Sequence, residues 1–133
     1  METSVNTQDL KKKIEGYLED LSKETDLARK SEAMQKYLEF AAQFHQYSPY
    51  NIMLILLSKP DATEVAGFQT WKKMNRYVKK GEKGIPIFAP LLHKEDSEKE
   101  NSPLVLNGFR VVHVFDISQT DGEPLPPVPD WKS

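Results

Sequence analysis

Six cations and one anion fall within thirteen consecutive residues, Trp71-Lys72-Lys73-Met74-Asn75-Arg76-Tyr77-Val78-Lys79-Lys80-Gly81-Glu82-Lys83. Cations at this density offer neutralisation to phosphates, and the aromatic rings of Phe68, Trp71 and Tyr77 interleaved with them are surfaces on which unpaired bases stack. A helix over residues 68–76 puts Lys72 and Arg76 four apart on one face, with Lys73 beside them. Lys79, Lys80 and Lys83 carry the positive surface into a turn around Gly81 and Gly84, where glycine lets backbone N–H groups approach an anion closely. A second reading competes with this one. Phe68, Trp71 and Met74 recur every three residues, as in the buried stripe of a short helix, and for Trp71 that core role is favoured over stacking. Tyr50 and Tyr77 are the more open rings, because a phenol tolerates partial exposure.

Other chemistry finds little support. The sequence contains no HExxH, GxSxG, Walker A or GxGxxG motif. His45, His93 and His113 are far apart in sequence and have no local metal-ligand partner; His113 is expected as a hydrogen-bonded structural residue on a strand face shared with Phe109 and Phe115. Asp116, Asp121 and Glu123 form an acidic cluster that could hold a cation, but a solvated turn is the preferred reading. There is no cysteine, which removes disulfides and thiolate metal sites. The expectation is a binding domain with no catalytic residues, no cofactor and no metal.

The elements that position the basic block are those of one small domain. At 133 residues, with 38% hydrophobic and 29% charged residues, the chain suits a single core and ordinary globular usage. The net charge of -2 conceals a partition: -3 over residues 1–66, +6 over 67–94 and -5 over 95–133. A basic block in an acidic frame speaks to partners rather than to fold. The N-terminus lacks an apolar signal core, and the longest apolar run, residues 52–57, is far short of a membrane span. A cytoplasmic protein without membrane contact is therefore expected.

Residues 7–21 place Leu10, Ile14, Tyr17 (or Leu18) and Leu21 at helical spacing. A second helix over 28–45 turns Met34, Tyr37, Leu38, Ala41 and Phe44 to one side. Ser48 before Pro49 is a helix start, and the helix that follows, over 50–57, is apolar nearly all round and so expected to be buried. Residues 86–92 and 109–117 read as strands, the second central because both its faces are apolar, the first at an edge or a bulge because of Pro86 and Pro90. Residues 104–106 read as a short partner strand, and 93–103 as a charged hairpin loop. The fold class is α+β, with N-terminal helices packed on a small antiparallel sheet. Residues 124–129, Pro-Leu-Pro-Pro-Val-Pro, read as a stiff polyproline linker that also fits a PxxP ligand pattern.

Four segments in register resemble a known family: Tyr47-Ser48-Pro49-Tyr50-Asn51-Ile52-Met53-Leu54, Ala62-Thr63-Glu64-Val65-Ala66-Gly67-Phe68-Gln69-Thr70-Trp71, Val78-Lys79-Lys80-Gly81-Glu82-Lys83-Gly84-Ile85 and Val114-Phe115-Asp116-Ile117-Ser118-Gln119-Thr120. Together they are similar to the N-terminal domain of ArdC-type antirestriction proteins. The resemblance implies single-stranded-DNA binding on a bacterial plasmid, phage or other mobile element, often ahead of a zinc metallopeptidase-like domain whose HExxH site is absent from these residues. It divides the chain into a helical extension (1–27), the binding domain (28–123) and a Pro-rich linker toward a further domain (124–133). The acidic stretch 95–100 departs from a phosphate-binding surface.

The expected function is thus binding of single-stranded DNA with little sequence specificity, through Tyr50, Asn51, Trp71, Lys72, Lys73, Arg76, Tyr77, Lys79, Lys80 and Lys83. The alternatives are a module docking an acidic protein partner through the same basic face, and a recruiting domain for a downstream metallopeptidase.

Overall fold

Asn6, Asp26 and Ser48 each precede a run of helical periodicity, and each caps one. In a computed structural model describing residues 6–125, Asn6 and Asp9 form a capping box at the start of α1 (Thr7–Lys23). Asp26 accepts from the N–H groups of Ala28 and Arg29 at the start of α2 (Leu27–Gln43). The Ser48 side chain accepts from Asn51 N–H in α3 (Pro49–Ser58), where Pro49 takes the first turn. The chain continues through β1 (Val65–Gly67), α4 (Phe68–Lys73), β2 (Arg76–Val78), β3 (Ile85–Lys94), β4 (Leu104–Asp116), a 3-10 turn (Ile117–Gln119) and β5 (Thr120–Gly122). The architecture is α+β, as the sequence suggested.

The apolar helix α3 is the centre of the core. Ile52, Leu54 and Ile55 form one buried cluster with Leu10 and Ile14 of α1, Phe40 of α2 and Phe44 just after it, and Ile85, Ile87 and Val114 of the strands. The first helix is therefore part of the core rather than an arm attached to it. The buried stripe of α2 differs in part from the expected one: Phe44 is buried and Tyr37 and Ala41 pack against the core as expected, but Phe40 joins them, while Met34 and Leu38 are exposed. One reason is length, since α2 has 17 residues and its partner α3 only 10, so the early turns of α2 extend past what they pack against.

Strands β1, β4 and β3 form an antiparallel sheet in that order, with β4 central, and β2 pairs with β5 in a separate antiparallel ribbon. Residues 104–106 open β4 instead of forming a strand of their own, because β3 extends to Lys94 and pairs with them beyond a register shift between Pro90 and Leu92. The three-residue strands β1, β2 and β5 are too short for a period to show in sequence. On the free edge of β3, the Asn51 side chain stands in for a neighbouring strand. Phe88 N–H donates to Asn51 Oδ1 at 2.9 Å, and Asn51 Nδ2 donates to Phe88 C=O at 3.0 Å. Pro86 and Pro90 share the outward orientation of Phe88 and carry no N–H, so this stretch presents no free donor to an added strand.

α4 stops at Lys73, short of the expected Arg76. Asn75 takes a left-handed conformation (φ 62), a helix-ending geometry that asparagine tolerates better than most residues. Gly122 completes the ribbon opposite: it has φ +142, and a Cβ there would lie 2.3 Å from the Asn75 carbonyl oxygen. Both strain and backbone collision therefore oppose any side chain. Gly122→Ala is expected to destabilise the protein by about 1–3 kcal/mol, read as a lower midpoint in urea unfolding; an unchanged midpoint would contradict this packing.

Candidate functional site

The basic turn is held by two buried polar side chains, Asp116 and Gln119. Asp116, 1% exposed, accepts from Thr63 N–H and Glu64 N–H through Oδ1, and from Ser118 N–H and Oγ–H through Oδ2. Burial pushes this carboxyl up, but the hydrogen bonds from Ser118, Thr63 and Glu64 outweigh it and hold it below the usual carboxylate range. Gln119 Oε1 accepts from Asp116 N–H, and its Nε2 donates to the Lys83 carbonyl at 2.7 Å and to Glu82 Oε1 at 3.1 Å. Lys79 N–H donates to the Gln119 carbonyl at 2.9 Å. Both sides of the turn are thereby fastened to the end of β4.

The turn itself has Glu82 N–H donating to Lys79 C=O, with Gly81 at φ +87 in the third position, the geometry of a type II turn and the reason glycine stands there. Lys79, Lys80 and Lys83 are exposed, and the N–H groups of Lys80, Gly81 and Lys83 have no acceptor among the described residues. Lys72 and Lys73, also exposed, end α4 nearby in sequence. None of these five ammonium groups lies within 4.0 Å of a carboxylate among the described residues; Lys79 Nζ makes one contact, 3.2 Å to the Ser118 carbonyl. Tyr77 and Tyr50 are 54% and 57% exposed, open enough for ring stacking.

Three expected contact residues have other work. Trp71 is 2% exposed, and its Nε1–H donates to the Phe115 carbonyl at 2.8 Å. Burying an indole of roughly 200 Å² is worth about 5 kcal/mol, against ~1–3 kcal/mol for stacking on a base, so the core reading prevails. Arg76, on β2 and not on a helix with Lys72, spends its guanidinium on Thr120 Oγ1 and on the carbonyls of Thr120, Gly122 and Glu123. Asn51 is 8% exposed and committed to the edge of β3. His113 is exposed and makes no side-chain hydrogen bond among the described residues, unlike the structural histidine expected. Asp116, with both oxygens occupied, is withdrawn from the acidic cluster considered for a cation.

A second feature escaped the sequence reading. Tyr50, Phe88, Pro90 and Phe109 meet α1 around a cleft of about 560 Å³ that Lys11 and Glu15 also line. The apolar character of both faces of β4 was the available signal for it. The polyproline stretch falls largely beyond residue 125, outside the described residues. No described helix is long and apolar enough to cross a membrane.

The family model for the N-terminal domain of anti-restriction factor ArdC matches residues 6–115, beginning inside the N-terminal helical region. In that family this N-terminal domain is the non-catalytic part. An uncharacterized protein of Bacillus anthracis, pXO2-81, plasmid-encoded, is 31% identical over 116 residues, covering 70% of this chain. The chain spans about a fifth of that relative's length, 20%. No solved structure matches.

Because the folded Asp116 carboxyl titrates below its unfolded value, its stabilisation is complete above about pH 4–5 and disappears as pH falls through the lowered folded value. Asp116→Asn is expected to cost at least about 2 kcal/mol near neutrality and to flatten the acid limb of stability against pH in urea titrations. A variant with the parent's acid limb would show that this carboxylate does not link the loops.

Proposed function

The chain belongs to the family of N-terminal domains of the anti-restriction factor ArdC, and from that membership and its exposed lysine turn we propose that it binds DNA, preferring single strands and reading little sequence. The observation that carries this reading is the turn at residues 79–83: three exposed lysines and three backbone N–H groups without an acceptor among the described residues, with Lys72 and Lys73 also exposed and close by in sequence. Phosphates supply the complementary charge, and backbone donors at a glycine turn add directed hydrogen bonds to it. Tyr77 offers a ring beside the lysines. The setting proposed is the cytoplasm of a bacterium carrying a mobile element.

The same surface would serve an acidic protein partner, or a downstream peptidase domain recruiting through DNA, so the test separates strand from protein. Counterion release makes the strand reading quantitative. With Arg76 engaged internally, five lysines remain, and contact with about five phosphates gives a slope of log K against log salt of roughly -3.5 for a single strand. Fluorescence anisotropy with single- and double-stranded oligonucleotides of equal length should show tighter binding of the single strand with that slope. Lys79→Gln/Lys80→Gln should weaken binding and reduce the slope's magnitude by about 1.4. Absence of binding at low salt, with capture of an acidic protein that depends on Lys79 and Lys80, would replace DNA by a protein partner.

A further inference from the structure

The pairing register places Pro86, Phe88 and Pro90 of β3 opposite His113, Val111 and Phe109 of β4, so these six residues share one face of the sheet. One end of that face meets the basic turn: Gly84 lies so close to β4 that a Cβ on it would fall 2.7 Å from His113 Cβ. The other end opens into the cleft lined by Tyr50, Phe88 and Phe109. Residues 84 and 90 are six apart along an extended strand, about 20 Å, so the face is a short, continuous track from lysines to aromatic rings.

The rings are set for a flat occupant. Phe88 and Phe109 meet edge to face, with centroids 5.9 Å apart and planes at 62°. Phe109 and Tyr50 remain 50% and 57% exposed, leaving ring surface unburied at the cleft. Lys11 and Glu15 of α1 both stand at the lining, with no ion pair between them, so the cleft carries no net charge and its character is set by the rings. We propose that this cleft receives the bases of a bound single strand while its phosphates lie on the turn at 79–83; the proposal rests on the DNA-binding reading above.

Two features favour bases over a peptide. The free edge of β3 beside the cleft is closed to strand addition by Pro86, Pro90 and the Asn51 amide, which removes the main-chain pairing an extended peptide would use. The apolar rings at one end of the track and the exposed lysines at the other match a ligand that carries both flat rings and negative charge. Little base preference follows, because the Asn51 amide is spent on Phe88 and the Ser48 oxygen already accepts from Asn51 N–H. Stacking tolerates any base.

The test uses the whole chain with an oligothymidine carrying one 2-aminopurine, whose emission responds to stacking. Tyr50→Ala and Phe109→Ala should each weaken binding roughly five- to a hundred-fold, leave the salt slope unchanged and diminish the emission change. Thermal unfolding verifies the fold, and Phe109→Leu, which keeps apolar bulk without the ring, serves if an alanine variant unfolds early. Parent-like affinity and emission in the folded ring variants, while Lys79→Gln/Lys80→Gln still weakens binding, would overturn the cleft and spare the DNA-binding reading. A parent chain that binds no strand would overturn both.

Discussion

The structure turns on a buried carboxylate that is charged because it is hydrogen-bonded. Asp116 ends β4, and through its two oxygens it fixes the loop entering β1 and the 3-10 turn leaving β4. That turn carries Gln119 into position to grip the Lys83 carbonyl. An isolated buried carboxylate would be costly; here backbone and hydroxyl donors replace the water it gave up. The basic turn is fastened to this polar core through Gln119 and the Lys79 N–H.

This arrangement explains a division of labour among the cations. Arginine's planar fork suits a fixed set of carbonyls, and Arg76 is used in that way to tie β2 to β5 and to Glu123 just after it. The lysines, single charges on flexible stems, are left at the surface around a backbone turn that is itself rigidly anchored. A rigid frame with mobile charges suits a ligand whose phosphates are regularly spaced but whose bases vary.

Much of this was legible in the sequence where local physics decides. The Ser48 cap, the burial of α3 and the central place of β4 follow from residue types at fixed spacing, and the structure agrees. What failed did so for tertiary reasons. Asn75 broke a helix whose lysine and aromatic spacing looked continuous, and its signal, an asparagine able to adopt a left-handed turn, was visible but outweighed. Arg76 read as a surface cation because its partners are more than forty residues away in the chain. Asn51 read as a contact for the same reason, its amide being claimed by Phe88. The cleft brings together residues of α1, α3 and a strand pair, and no window of sequence contains it.

The central claim is that the turn at residues 79–84 meets a single strand. The most direct measurement is a titration of the isotopically labelled chain with a short oligothymidine, following backbone amide resonances. The account predicts that shifts concentrate at residues 79–84, with a second group near Phe88 and Phe109, and that a duplex of equal length moves them less. Shifts confined to the exposed face of α2 around Met34 and Leu38, with the turn unmoved, would contradict it.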